Sequence, residues 1–239
     1  MKILNKVNIP ENKKVFFVGD IHGRYDELLE KLKSVNFNME QDILISVGDL
    51  VDRGPKIKEV IELFAKKDNF YCVVGNHDNF LLEFDTQPEK WFDDIRNGSE
   101  DTVSQIGKTQ LKKYKKILLK KMSLILEIEY KDMKIGVIHG GVPFDNNKPQ
   151  EWNKIIRKAK RNKRYRANLM WDRTVIRKVW ANDIADIPEI LGIDFMVHGH
   201  TTIDEPLFFQ NRVWIDTFGK TGELTLLCVE NKENIFILK

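Results

Sequence analysis

The stretch "DILISVGDLVDRGPKIKEVIELFAKKDNFYCVVGNHDNFLLEF", residues 42–84, decides the fold. Residues 42–48 form a short apolar run closed by glycine, which reads as a buried strand. Residues 56–67 carry apolar side chains at helical spacing, and "FYCVVG" (70–75) is a second buried strand. "NFLLEF" (79–84) opens another helix. Upstream, "KVFFVG" (14–19) and "YDELLEKLKSV" (25–35) repeat the strand–helix alternation. The pattern is βαβαβ, for which a parallel sheet with right-handed crossovers is expected.

Working outward, residues 87–121 are polar and helical and are expected to form a helical cap. Beyond them the character changes. "SLILEIEY" and "MKIGVIHGG" flank a turn at Lys131-Asp132, and further short strands flank turns at Gln210-Asn211 and Asn231 to Glu233. The expected fold class is α/β: two mixed β-sheets packed as a sandwich with helices outside. No linker is polar or Pro/Gly-rich enough to divide the chain, so residues 1–239 are read as a single domain.

Composition sets the class. At 239 residues, 42% hydrophobic and 31% charged, the chain suits a globular protein with a substantial core. Cys72 and Cys228 lie in apolar runs and read as reduced thiols. With no signal-peptide core and no apolar stretch of membrane-span length, a cytoplasmic location is expected; a bacterial or phage-encoded chain would look alike. Net charge is only +3, but residues 154–166 hold eight Lys or Arg and no Asp or Glu. That segment reads as an exposed basic helix with Ile155, Ile156 and Ala159 inward. The sharper reading is contact with an anionic substrate or nucleic acid.

Five apolar runs end in the same manner, each followed by small residues and then metal-ligand chemistry. They are "FFVGDIHG" (Asp20, His22), "ISVGDLVDRG" (Asp49, Asp52, Arg53), "CVVGNHD" (Asn76, His77), "IGVIHGG" (His139) and "FMVHGHT" (His200). Any one of them alone is an ordinary solvated loop. Five at five strand ends point into one place, because ligands collect at the carboxyl ends of strands in α/β sheets. Two Asp, three His and one Asn, without thiolate, suit Mn, Fe or Zn better than Ca or Mg. Six ligands divide naturally between two divalent ions sharing a carboxylate, most simply Asp49.

This series, GDxHG, GDxVDRG, GNHD, HGG and GHT, resembles the calcineurin-like metallophosphoesterases. It is closest to the phosphoprotein phosphatase family and its small members of the bacteriophage lambda phosphatase type. The likeness runs from about Val15 to Val229 and includes "MWDRTVIRK". It implies that Asp20, His22 and Asp49 hold one metal and that Asp49, Asn76, His139 and His200 hold the other, with manganese favoured. It also implies a metal-activated hydroxide as nucleophile and Arg53, Arg173 and Asn76 as phosphate-binding groups. His77 would then be the general acid, oriented by Asp52. The family pattern places the ligand at the histidine before Thr, hence His200 rather than His198, which is left as a supporting or solvent-facing residue. Asp78 reads as a first-turn helix residue favoured by the dipole.

Two spellings bear on substrate. GNHD stands where phosphoprotein phosphatases usually have GNHE, and it is shared with symmetrical dinucleoside tetraphosphatases. Those hydrolases often lack the acid of DRG, which this chain keeps as Asp52. The expected activity is therefore that of a Ser/Thr, or dual Ser/Thr/Tyr, phosphoprotein phosphatase. The alternative is a symmetrical bis(5'-nucleosyl)-tetraphosphatase or an RNA 5'-end phosphohydrolase.

Overall fold

A strand with no polar side chain on either face must be covered on both, and "VFFV" is such a strand. It forms β2 (Val15–Val18), flanked in register by β3 (Ile43–Ser46), which pairs in turn with β4 (Phe70–Val73), all parallel. The connections are α1 (Tyr25–Ser34) and α2 (Ile57–Lys66). In α2 the residues Ile57, Val60, Ile61 and Phe64 repeat at i, i+3, i+4 and i+7 and are buried. The computed structural model describes residues 1–92, 97–143 and 149–238.

Helices α3 (Asn76–Glu83), α4 (Pro88–Phe92), α5 (Ser99–Ile106) and α6 (Leu111–Lys121) follow, the last three over the expected cap. Residues 93–96 of that expected cap lie outside the described residues. Strand β5 (Met122–Tyr130) then turns the sheet. Only its first two residues pair with β4, whereas Leu126 to Tyr130 pair antiparallel with β6 (Met133–Val137). The hairpin turn is Lys131-Asp132 as expected, both with left-handed φ. The sheet continues through β9 (Phe195–His198), β11 (Arg212–Trp214) and β10 (Leu207–Phe209). At its other side β12 (Leu226–Val229) and β13 (Ile235–Leu238) pair antiparallel beyond β2.

The two packed layers are thus halves of one hydrogen-bonded ladder, joined through β5. Val15, Phe17, Ile45 and Val47 from one half and Val137, Val197, Val213 and Ile215 from the other fill the space between them. Phe16, Val18 and Leu44 turn the opposite way and pack under the helices. Strand β1 (Lys2–Asn8), which runs parallel to β5, has no counterpart in the sequence reading. Its seven residues mix Ile, Leu and Val with Lys and Asn without a strict period of two, and it is half-exposed. A two-stranded pair, β7 (Gln150–Glu151) with β8 (Ile190–Leu191), was likewise not anticipated. The basic stretch is two helices, α7 (Trp152–Arg161) and α8 (Lys163–Trp171), broken at Asn162, whose side chain caps the second. Ile155, Ile156 and Ala159 are buried, as the periodicity requires. Short helices α9 (Thr174–Trp180) and α10 (Phe218–Thr221) complete the chain.

Candidate metal centre

Parallel strands in each half bring their carboxyl ends to one edge. Asp20 and His139 lie two residues past β2 and β6, Asp49 and Asn76 three past β3 and β4, and His200 two past β9. Within each half the turns are tied at this edge, by the Gly199 amide donating to the His139 carbonyl (2.9 Å) and by the Ile21 and His22 amides donating to the Asp49 carbonyl. The His200 amide donating to Asp20 and His139 Nδ1 donating to Val47 O join one half to the other. Of the ten non-glycine residues with left-handed φ among the described residues, five are His22, Asp49, Asp52, Arg53 and His200. Such backbone costs about 1–3 kcal/mol per residue and persists where surroundings over-determine it, commonly at functional sites.

Asp49 is central. Its Oδ2 lies 3.2 Å from His139 Nε2 and 3.6 Å from His22 Nε2, and its Oδ1 accepts from the His77 amide (2.9 Å). Two triads of donor atoms meet there, His22–Asp49–His77 and Asp49–His139–His200, so Asp49 is the shared member. The expected Asp20 belongs to neither triad. Its carboxylate is turned to accept from the His200 amide (3.1 and 3.2 Å) and stands 3.8 Å from His139 Nδ1. Asn76 Oδ1 is 3.1 Å from His139 Nε2, which brings it to the same point.

The imidazoles are anchored through Nδ1. His22 Nδ1 donates to Val51 O (2.7 Å) and His139 Nδ1 to Val47 O (2.8 Å), which leaves Nε2 facing the centre in each. The His200 ring is hydrogen-bonded to the Trp171 backbone, and its buried Nε2 has no partner. Burial lowers the pKa of His22 to about 3, helped by His77 and Arg53 and opposed by Asp49; it lowers His200 to about 2, helped by His139 and Arg173. Both rings are neutral and offer a lone pair. Burial also works against the charged form of His139, but Asp49 and Asp20 outweigh it and push its pKa up to about 10. Burial and the neighbouring Asp216 hold Asp20 well above the usual carboxylate range.

These residues fit divalent cations. The inward lone pairs, the orphaned His200 Nε2 and the concentrated carboxylates are what a cation would satisfy. Space has been kept at the carboxylates too. A Cβ on Gly75 would lie 2.0 Å from Asp49 Oδ1, and one on Gly199 would lie 2.1 Å from Asp20 Oδ1. Only glycine lets these backbones pass so close.

His77, which the sequence reading assigned to proton transfer, shares the first triad with His22 and Asp49 and is held by two further side chains. Its Nδ1 bonds Asp52 Oδ2 at 2.9 Å, and its Nε2 accepts from Arg53 Nη2 at 2.9 Å. The other Arg53 nitrogen, Nη1, donates to His22 Nε2 (3.0 Å). Arg173 is half-buried, donates to His200 O (3.2 Å) and feels the field of Asp20, Asp216 and Asp49. His198 takes a different course from His200. It is fully buried, donates Nδ1 to Ile138 O (2.8 Å) and stacks on Trp214, so the solvent-facing alternative is excluded.

Several supporting side chains escaped the sequence reading. Asp52 is fully buried and accepts from Trp91 Nε1 (3.2 Å) on α4 and Thr102 Oγ1 (2.5 Å) on α5. Asp78 does more than favour a helix start. Its carboxylate accepts from the amides of Asp49 (2.8 Å), Leu50 (2.9 Å) and Gly75 (2.9 Å), locking the β3 and β4 turns together. Asp216, two residues past β11, is buried beside Asp20, and burial pushes its pKa up to about 6. "RVWID" does end an apolar run in a carboxylate, but without the glycine that marked the other five turns.

A fold and a centre of this kind define a phosphate-ester hydrolase of the metal-dependent class. The chain belongs to the calcineurin-like phosphoesterase family, whose profile matches residues 13–204. A family of this kind uses divalent metals, and the donor triads above are candidates for them. The chain is similar to serine/threonine-protein phosphatase 2 of Escherichia coli K12, with 29% identity over 223 residues, 89% of this chain and 90% of that protein. It is also similar to the asymmetrical bis(5'-nucleosyl)-tetraphosphatase of Halalkalibacterium halodurans, with 28% identity over 228 residues, 88% of this chain and 87% of that one. Among solved structures, a protein serine/threonine phosphatase of Saccharomyces cerevisiae superposes with a TM-score of 0.62 at 15% identity, covering 99% of this chain and 82% of the other. That last likeness bears on fold alone.

Proposed function

We propose that the protein is a phosphomonoesterase acting on phosphoserine and phosphothreonine in proteins, with tyrosine as a further substrate, and that it works as a single catalytic domain. Within the family this is the lambda phosphatase type. The observation that carries the reading is the Asp52–His77 pair. Asp52 is buried and held by Trp91 and Thr102, and it fixes Nδ1–H of His77 so that Nε2 faces the site. A proton donor built with that much support suits an alkoxide, which leaves poorly without protonation.

Asp20, His22 and Asp49 would hold one divalent ion and Asp49, Asn76, His139 and His200 a second, manganese being the first choice and iron or zinc the others. Such ions would supply water of lowered pKa and neutralise phosphate charge. Arg53 and Arg173 serve the phosphoryl oxygens, for which a planar guanidinium is suited. Arg53 also couples binding to proton transfer. His22 Nε2 cannot serve a cation while accepting from Arg53 Nη1, and His77 Nε2 cannot carry a proton while accepting from Nη2. Movement of the guanidinium onto a phosphoryl oxygen frees both nitrogens at once. The two free, buried cysteines favour a cytosolic setting, and among the described residues no helix is long and apolar enough to cross a membrane.

His77→Asn tests the reading. It is expected to lower kcat on a phosphoserine peptide by about 10²-fold or more, with a much smaller loss on diadenosine tetraphosphate, whose leaving phosphate needs less help. Near-normal turnover of the peptide would remove His77 from the role. A wild-type kcat/KM far higher on the dinucleotide than on any phosphopeptide would transfer the protein to the tetraphosphatases.

A further inference from the structure

A groove of about 690 Å³ opens beside the metal centre, between α3 and α8. Its near wall is aromatic and continuous with the site. Phe80 packs edge-on to His77 (5.9 Å between ring centroids), Trp171 packs edge-on to Phe80 (5.8 Å), and Trp171 also meets His200 (5.5 Å). Trp171 is 43% exposed, far more than a packing role for an indole requires. Leu119 and Met170 line the floor. Lys163, Arg164 and Arg166 form a basic rim opposed by one carboxylate, Glu83, which Gln87 already engages.

These cations differ from the rest of the basic stretch. Arg166 spends its guanidinium on the Ala159 and Lys160 carbonyls, ending α7. On α7, Lys158 lies over the Tyr165 ring. Lys163 and Arg164 are exposed, and among the described residues neither makes a hydrogen bond or ion pair. Both line the groove, whereas Arg157, Lys160 and Arg161 do not.

We infer that this groove selects phosphopeptides carrying an acidic side chain about three residues from the phosphorylated one. The inference rests on the phosphomonoesterase reading above and gives it a substrate class. The register follows from helix geometry. Arg164 and Lys163 precede Trp171 by seven and eight residues on one helix, and at about 1.5 Å per residue they lie roughly 10–12 Å from the aromatic wall. An extended peptide covers that span in about three residues at roughly 3.3–3.6 Å each. A phosphoresidue whose backbone passes the aromatic wall, with its phosphoryl group reaching the metal centre, thus places its neighbours along Met170 and an Asp or Glu at the basic rim.

The test compares phosphoserine peptides bearing Glu or Ala at the third position before and after the phosphoserine. In low salt the wild-type protein is expected to favour Glu on one side by about three- to tenfold in kcat/KM, as two exposed charge pairs allow. The preference should fade at high ionic strength. Lys163→Gln with Arg164→Gln should erase it while leaving p-nitrophenyl phosphate turnover and thermal stability unchanged. Arg157→Gln with Arg161→Gln should preserve it. Equal kcat/KM for all peptides, or a preference that survives in the Lys163/Arg164 variant, overturns the groove while leaving the phosphatase reading standing. A variant that loses diadenosine tetraphosphate turnover but no peptide preference also overturns it. Failure of the wild-type protein to hydrolyse any phosphopeptide overturns both.

Discussion

The two halves of the sheet build one centre by different means. In the N-terminal half, β2, β3 and β4 each end in a glycine turn that carries its polar residues as a local unit: Asp20 with His22, Asp49 with Asp52 and Arg53, Asn76 with His77. In the C-terminal half, β6 and β9 each deliver one inward histidine. The placement of each depends on its neighbour strand through the Gly199–His139 backbone bond and the parallel pairing of Gly136 with Met196. The N-terminal half therefore holds chemistry in the order of the chain, and the C-terminal half holds it in tertiary contacts.

Breaking the shared point should do the most damage. Asp49→Asn removes the one carboxylate common to both triads, and turnover is expected to fall at least about 10³-fold, the scale of several kcal/mol of lost transition-state stabilisation. Metal content per chain, measured on folded protein, should fall with it. Full turnover with undiminished metal would refute the centre as drawn.

The two histidines at the carboxyl end of β9, His198 within it and His200 just beyond, sharpen the comparison further. His200→Ala removes a neutral donor that meets Asp49 and His139 in one triad, so kcat should fall about 10²-fold or more with little change in melting temperature. His198→Ala deletes a fully buried ring stacked on Trp214 and should instead cost about 2–4 kcal/mol of stability, with metal binding retained. If the two variants exchange these effects, the assignment of His200 over His198 is reversed.

Much of the centre was legible because the turn grammar is local. An apolar run, a glycine and a ligand within two or three residues can be read without knowing which strand lies beside which. The layer structure was legible for the same reason, since "VFFV" and "ILIS" have no face for water. Contacts made across 39 and 50 residues left no such trace: Trp91 and Thr102 sit in a polar helical stretch, and nothing local says that they reach Asp52. The triple role of Asp78 is hidden because an acidic residue in a helix's first turn is already accounted for by the dipole. Asp20 was legible as a site residue, but its turn toward the His200 amide depends on how the halves close. Strand β1 was obscured by its lysines and asparagines, which a parallel edge partner tolerates.

The cap offers a milder break. Thr102→Val keeps the shape but removes both the donor to the Asp52 carboxylate and the acceptor of the Asp52 amide (3.0 Å), so the carboxylate remains bonded to Trp91 and His77 but loses its shortest contact. We expect kcat on phosphoserine peptide to fall about three- to tenfold, the scale of an ordinary net hydrogen bond because Asp52 keeps two other partners, with p-nitrophenyl phosphate less affected because phenolate leaves more easily. Equal losses on both substrates would place Thr102 in folding alone.

The smallest effect separates the layers by stability rather than chemistry. Glu127 on β5 has a buried side chain, accepts from Trp152 Nε1 (2.5 Å) and pairs with Lys6 of β1 (2.5 Å), so it fastens β1 and α7 to the strand that joins the two halves. Burial opposes its ionisation, but the bonds from Lys6 and Trp152 outweigh this and hold its pKa below the ordinary 4.5. A carboxylate whose pKa is depressed on folding adds stability that is present above the unfolded pKa and lost as pH falls through the folded one. Glu127→Gln keeps the shape and an acceptor for Trp152 but gives up the ion pair. The variant should melt a few degrees below wild type at pH 7, on the order of 2–4 °C for about 1 kcal/mol in a chain of this size. That gap should close as the pH drops below about 4.5 and the wild-type carboxylate takes up its proton. A gap that stays constant down to pH 3 would mean that Glu127 acts by packing and neutral hydrogen bonding, and that the joint between the halves owes nothing to its charge.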